Sequence, residues 1–365
     1  MKKLVLFLAA SVALAANEPL PPERVATMIE ALTRLGPEKV HGNDRLRAAL
    51  VQLLAATRGT PQFAQLVNDF GVEGQEAGLI EVAAKFPGDE AGVTAARLVL
   101  ISTNRPPLAA ALTSAQTAAL ARALGNTADK RAVPWLLPLL ADVRREPAAR
   151  KAAVRALAQT QEGAAELLRL AREEKLGADV RFVAGAELNA ARWPAIRAEA
   201  VKLLPPPAGR NDQPLPPLAE LLKLQGASRR GEEVFAREEV GCAKCHVVNG
   251  RGIDFGPALS EIGTKLGREA LLEAILDPSA GISFGYEAWT FEMKSGDELF
   301  GLIVSDAADE VALKVQGGAV NRLKKSEIAR RTQAKLSIMP TGLAQAMTVQ
   351  ELADLVEYLT TLRKK

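Results

Sequence analysis

The sequence predicts a mainly α-helical protein, in which a helical repeat domain precedes a second helical domain that is interrupted by a small antiparallel β-module. Aromatic residues make up only 4% of the chain while Ala and Leu abound, which favours closely packed helices. Between residues 21 and 204 the apolar residues recur at spacings of three and four, which is the helical period. Between residues 285 and 335 the period changes to two, which indicates strands.

The first twenty residues, MKKLVLFLAASVALAANEPL, predict a signal peptide over residues 1–16: two lysines, an apolar run and an Ala-Leu-Ala ending. The run is short for a membrane span, and no cysteine follows it to carry a lipid. We therefore expect a periplasmic or otherwise exported protein with no integral membrane span after cleavage; an uncleaved anchor is the alternative. Removal of Lys2 and Lys3 reduces the formal net charge from +3 to +1, so the charge does not indicate a nucleic-acid partner.

Residues 17–204 are predicted to form an α-solenoid. The segments AQTAALARALGNT, AARKAAVRALAQT and DVRFVAGAELNAA are alike in character and recur at intervals of about 30 residues. The stretch AVPWLLPLLADVRREPAARKAAVRALAQT resembles a HEAT repeat, with an apolar first helix, an Asp-Arg connection and an Ala-rich second helix. We expect four to six such repeats; a helical domain without repeats is the alternative.

A proline-rich linker is predicted at residues 205–217, because such a run favours extended polyproline II. Beyond it, residues 218–284 and 336–365 are assigned to the two parts of one helical domain, and residues 285–335 to a β-module inserted between them. In the first predicted strand Trp289, Phe291 and Met293 alternate with polar residues and should share the inward face.

The segment VGCAKCHVVNG holds both cysteines of the chain, Cys242 and Cys245, and His246, one of its two histidines. A zinc site would need carboxylate ligands, since the only other Cys or His is His41. A dithiol redox centre would call for a helix start in a βαβ context, which the sequence does not offer. Attachment of a c-type haem needs two thiols for the vinyl groups and an adjacent His for the iron. The motif contains all three residues. Export agrees with this third interpretation, which we favour.

A haem held in this way needs a sixth ligand or has an open position. The candidates in the mature chain are His41, Met28, Met293, Met339 and Met347. We expect a surface position or a capping role for His41, and a packing role for Met28 and Met293. Packing or a surface position is plausible for Met347. Met339 is the predicted ligand, because Pro340 restrains it towards an extended conformation in a loop. Met339 follows His246 by 93 residues, a long interval that the inserted β-module explains.

From about Gly231 to the C-terminus, the chain resembles the haem-binding cytochrome c domain common in planctomycete and verrucomicrobial proteins, a variant of class I cytochrome c. The similar segments are RRGEEVFAREEVGCAKCH, FGPALSEIGTK, LLEAILDPSAGISFGYEAW, KLSIMPTGL and TVQELADLVEYLTTL. The resemblance implies one haem c, covalently attached to Cys242 and Cys245, with His246 as proximal and Met339 as distal ligand. It further implies that the carbonyl of Pro257 bonds to the second nitrogen of His246.

His/Met ligation leaves no open position at the iron, so we expect an electron-transfer protein without catalytic residues rather than an enzyme. It would carry single electrons between a periplasmic dehydrogenase or another cytochrome and a downstream acceptor, with the solenoid as a docking surface. If Met339 is not a tight ligand, a haem-based peroxidase or a gas or redox sensor is the alternative. A peroxidase would also want a distal acid or base, and no histidine lies near the motif to supply one.

Overall fold

The computed structural model describes residues 20–205, 215–237 and 240–364. The predicted signal peptide at residues 1–16 lies outside the described residues, as does most of the predicted linker at 205–217. Within the described ranges the chain is mainly helical, with eighteen α-helices and one five-stranded antiparallel sheet. The predicted fold class is confirmed.

The N-terminal part consists of helices joined by short connections, and many of them begin at a proline, whose fixed φ suits the first turn. They are α1 Pro22–Leu35, α2 Pro37–His41, α3 Asp44–Thr57, α4 Pro61–Phe70, α5 Glu76–Lys85, α6 Glu90–Ile101, α7 Pro106–Ala111, α8 Thr117–Asn126, α9 Val133–Ala141, α10 Pro147–Leu157, α11 Gln161–Arg172, α12 Ala178–Asn189 and α13 Pro194–Leu203. One continuous apolar core runs through them from Leu32 to Leu204.

Alternate helices of this part stack on one another: α4 contacts α6, α6 contacts α8, α8 contacts α10 and α10 contacts α12. The stack is tight because Gly125 of α8 faces Ala156 of α10, where a β-carbon on residue 125 would lie 2.5 Å from the Ala156 Cα. Stacking of alternate helices is the packing that a solenoid requires. The HEAT assignment and the repeat count stay predictions.

The second helical part follows the proline-rich segment. Its helices are α14 Leu218–Leu221, α15 Ser228–Ala236, α16 Ile262–Lys265, α17 Arg268–Leu276 and α18 Val349–Thr361. Helices α15 and α18 cross in close contact, with the rings of Phe235 and Tyr358 5.9 Å apart between centroids. The carboxylate of Asp354 on α18 is buried at this crossing and accepts hydrogen bonds from Ala227 N at 2.7 Å and Arg230 Nε at 2.6 Å. The crossing brings the two ends of the domain together around one core.

The β-module lies between α17 and α18 in the sequence. Its strands are β1 Ala288–Met293, β2 Glu298–Asp306, β3 Glu310–Val315, β4 Val320–Lys324 and β5 Ile328–Gln333. They form an antiparallel sheet in the order β4-β3-β2-β1-β5, so the last strand returns to pair with the first. Phe291 is fully buried in the module core, and Trp289 and Met293 pack beside it, as the alternation predicts.

The β-module also packs on the N-terminal helices, a contact that the sequence did not predict. Its core includes Val93 of α6. Arg97 of α6 donates a hydrogen bond to the side chain of Asn321 on β4, and Asn321 in turn donates to the carbonyl of Asn126 at 3.2 Å. Arg192, after α12, donates to Glu298 on β2 at 2.9 Å. In the part of the chain that the structure describes, no helix is long and apolar enough to cross a membrane.

Candidate functional site

The two cysteines and the histidine of the motif stand in one tight turn after α15. Gly241 opens the turn with φ of 76°, a left-handed conformation that glycine adopts without strain. Residues 242–244 form a single 3-10 turn, and the amides of Cys245 and His246 both donate to the carbonyl of Cys242, at 3.1 and 2.9 Å. The turn therefore presents both thiols and the imidazole from one short stretch of fixed backbone.

Both thiols are free and half-buried. Burial raises the pKa of Cys242 to about 12. Burial, with the charge of Glu187, raises the pKa of Cys245 to about 11, although Lys244 opposes this. A redox dithiol instead depends on a thiolate whose pKa is lowered. Within residues 20–205, 215–237 and 240–364, no three His, Cys, Asp or Glu side chains gather as a metal-binding group, which zinc would require.

The imidazole of His246 is oriented by a backbone carbonyl. Its Nδ1 donates a hydrogen bond to the oxygen of Pro257 at 2.7 Å. Because a carbonyl oxygen can only accept, Nδ1 carries the hydrogen, and Nε2 keeps a lone pair for a metal. Burial lowers the pKa of His246, against the opposing effect of the Pro257 bond, so the ring is neutral at neutral pH. The Pro257 carbonyl thus orients the ring, and its part in a haem site stays a prediction.

The loop that carries Pro257 is fastened to the motif by backbone hydrogen bonds. Ile253 N donates to Ala243 O at 3.0 Å, and Gly256 N donates to Cys245 O at 2.6 Å. Gly256 leaves room for the histidine ring: a β-carbon at this position would lie 2.7 Å from Cε1 of His246. Sequence reasoning missed Gly256, although its place directly before Pro257 was a signal that could have pointed to it.

Met339 lies in a loop between β5 and α18, as predicted. Its amide donates to Ser337 Oγ at 3.1 Å, and the amide of Ser337 donates to Ser279 Oγ at 3.1 Å. Ser279 precedes β1, so the loop is tied to the chain that enters the β-module. Met339 is half-buried and packs against the same apolar cluster as Cys242 and Ala243. Its role as a ligand stays a prediction.

The other candidates for the sixth ligand all pack in apolar cores or bond to the backbone. Met28 packs on the core of the N-terminal helices, and Met293 belongs to the core of the β-module. Met347 lies in the same cluster as Met339 but is enclosed by the protein, with only 2% of its surface exposed. His41 ends α2, and its Nε2 is 2.6 Å from the carbonyl oxygen of Phe70 at the end of α4. These positions agree with the packing and structural roles expected for them.

The residues of this site fit a covalently attached haem. The turn supplies two protonated thiols and a neutral imidazole whose Nε2 is not used by the Pro257 bond. Half-buried apolar side chains of the kind that a porphyrin face requires pack against the same domain core as Cys242: Ala243, Leu259, Ile262 and Met339. Cys242 and these side chains therefore share one core, and Leu259 lies beside the motif, with its amide donating to the carbonyl of Val247 at 2.9 Å.

Comparison with known families agrees with this geometry. Residues 228–312 match the family model described as cytochrome c. The matched range contains α15, the cysteine-histidine turn and Pro257, and it ends within the β-module, before Met339. The match supports a haem-binding cytochrome c domain and a haem-based electron-transfer role. A search of the curated proteins finds no match to this chain.

Proposed function

We propose that this protein is an exported monohaem c-type cytochrome. It passes single electrons from a redox partner, such as a periplasmic dehydrogenase or another cytochrome, to a downstream acceptor. The observation that carries the proposal is the turn in which Cys242, Cys245 and His246 stand together, with His246 oriented by the Pro257 carbonyl. The match of residues 228–312 to the cytochrome c family supports it independently.

In this proposal Cys242 and Cys245 form the thioether bonds to haem c, and His246 Nε2 is the proximal ligand. When bound, the haem supplies a one-electron couple. The bond from Nδ1 to Pro257 fixes the tautomer and the plane of the ring and makes Nε2 a better donor. The fastened loop around Gly256 holds this arrangement in place.

Met339 is proposed as the distal ligand. Its loop is anchored through Ser337 to Ser279, and Met339 packs against the same domain core as Cys242. A methionine ligand favours ferrous iron and closes the position at which a substrate would bind. This supports electron transfer rather than catalysis. The planctomycete and verrucomicrobial type of the domain is part of the same proposal.

Two measurements test the proposal. Expression with the machinery for haem attachment should give a mature chain heavier by one haem, and Cys242→Ser with Cys245→Ser should abolish the added mass. In visible absorption, carbon monoxide should leave the spectrum of the reduced native protein unchanged, because both axial positions are taken. A chain without the added mass would refute haem attachment, and ready binding of carbon monoxide would refute closed His/Met ligation.

A further inference from the structure

A carboxylate of the N-terminal helices lies beside the haem-attachment turn. Glu187, on α12, is nearly buried, with 13% of its side chain exposed. Its Oε1 is 3.8 Å from Arg155 Nε on α10, and its Oε2 accepts a hydrogen bond from Gln316 Nε2 at 3.5 Å. The chain segment that carries Gln316 also reaches the loop fastened to the motif: Lys314 Nζ donates to Asp254 Oδ2 at 2.7 Å, and Ile253 N of that loop donates to Ala243 O at 3.0 Å. The charge of Glu187 accordingly acts on Lys244 and Cys245.

All three parts of the protein therefore meet at one acidic group. Glu187 and Arg155 belong to the N-terminal helices, Gln316 follows strand β3, and Lys244 stands between the two cysteines of the motif. A carboxylate is costly to bury unless charges and hydrogen bonds compensate it. Arg155, Lys244 and Gln316 compensate this cost in part, while burial still raises the pKa of Glu187. When the carboxyl is ionised, its charge therefore acts in a surrounding of low dielectric constant.

We propose that Glu187 sets the reduction potential of the haem from outside the cytochrome domain, by holding a negative charge of the helical domain against the haem-attachment turn. This inference rests on the proposed function. A nearby anion stabilises ferric iron more than ferrous iron, and the effect is larger where water is excluded. Docking of the helical domain thereby lowers the potential. Glu187 is a positioning and tuning residue, not a ligand.

The chain offers a matched control on the same domain. Glu199 of α13 forms an ion pair with Arg172 and is 38% exposed in its side chain. Neither residue contacts the motif in the interactions that the structure shows for them. The substitution Glu199→Gln removes the same unit charge from the same domain, so it reports the effect of net charge alone.

The experiment compares haem-loaded Glu187→Gln, Glu199→Gln and native protein by redox titration. Each protein is first checked for haem by mass and absorption, so a failure of the proposed function is seen at that step. The titration is run at mildly alkaline pH, because burial raises the pKa of Glu187 and the carboxyl must be ionised. Glu187→Gln should shift the potential upwards, by roughly threefold to tenfold in the equilibrium constant for reduction. Glu199→Gln should not; equal potentials for all three proteins would overturn the proposal.

A second variant separates charge from loss of the contact. Arg155→Gln removes the positive partner of Glu187, so it should leave the potential unchanged or lower it. If Arg155→Gln and Glu187→Gln both raise the potential equally, disruption of the domain contact is the cause and the proposal is overturned. Thermal unfolding of each variant, followed by circular dichroism, confirms that the comparison is between folded proteins.

Discussion

Gly256 lies directly against the imidazole of His246, and a β-carbon on residue 256 would be 2.7 Å from Cε1 and 3.0 Å from Nδ1. The amide of Gly256 is held at 2.6 Å from the carbonyl of Cys245, so the loop cannot move away without losing that hydrogen bond. Any side chain here has to displace the ring. The position of the proposed proximal ligand therefore depends on a residue that bears no functional group.

Gly256→Ala is expected to weaken ligation by His246. The added methyl group displaces the ring from Pro257, so the hydrogen bond from Nδ1 to the Pro257 carbonyl, which fixes the tautomer, is lost. Haem should still attach to the two cysteines, while the reduced protein should begin to bind carbon monoxide or an added imidazole. Visible absorption measures this. Gly267→Ala is the control, since nothing lies within 4 Å of the position where its β-carbon would be; identical behaviour of the two variants would refute the role of Gly256.

Met339→Ala and Met347→Ala should have opposite consequences. Met339 is half-buried in an anchored loop, and its loss should open the distal position to carbon monoxide with little effect on stability. Met347 is enclosed in the core, so its truncation should cost about 2 to 5 kcal/mol in the free energy of unfolding and leave the haem spectrum unchanged. Carbon monoxide titration and urea unfolding are the two measurements. An open site in Met347→Ala but not in Met339→Ala would make Met347 the ligand.

Gly231→Ala should destabilise the crossing of α15 and α18. A β-carbon at residue 231 would overlap the backbone oxygen of Asp354. This oxygen belongs to the backbone of α18 and cannot shift without moving the helix. Overpacking of this kind costs about 1 to 3 kcal/mol. Urea unfolding should show the loss. Gly281→Ala, at an exposed position with no atoms near its β-carbon, should change stability far less, and a comparable loss there would contradict the packing argument.

The sequence was sufficient for the local features of this protein. Apolar spacing predicted the helices, and alternation around Phe291 predicted the sheet, because both periods depend only on residues that are close together in the sequence. The turn of Cys242, Cys245 and His246 was visible as a motif. The contacts between parts were not visible, since Arg97 and Asn321 are 224 positions apart and no period connects them. For the same reason the sequence gives no sign that Glu187 differs from an exposed charged residue of a helix, although the fold buries it within reach of the charge of Lys244.

The stability of the crossing should depend on pH through Asp354. Burial raises the pKa of this carboxyl, but hydrogen bonds from Arg230, Ala227 and Gln350 lower it more, so its pKa in the folded protein is below the ordinary value. A lowered pKa stabilises the fold above the unfolded pKa of about 3.9, and that contribution is lost as the pH falls through the folded pKa.

Asp354→Asn should therefore be less stable than the native protein near neutral pH, and the difference should shrink as the pH falls below about 4. Thermal midpoints measured across the acid range by circular dichroism give the comparison. Asp69→Asn, at an exposed position of α4, is the control and should follow the native curve. A constant difference between Asp354→Asn and the native protein down to the most acidic pH would show that the carboxylate charge is not involved.

Asn321→Ala should weaken the contact between the β-module and the N-terminal helices. The Asn321 side chain is buried, accepts a hydrogen bond from Arg97 and donates one to the carbonyl of Asn126, so truncation leaves both partners unsatisfied. A buried group left without its partner costs about 1 to 3 kcal/mol, and more if it is charged, as Arg97 is.

Arg322→Gln breaks an exposed ion pair with Glu90 at the same interface and should cost less than about 1 kcal/mol. Urea unfolding compares the two variants. Equal losses would mean that the buried polar network does not hold the domains together.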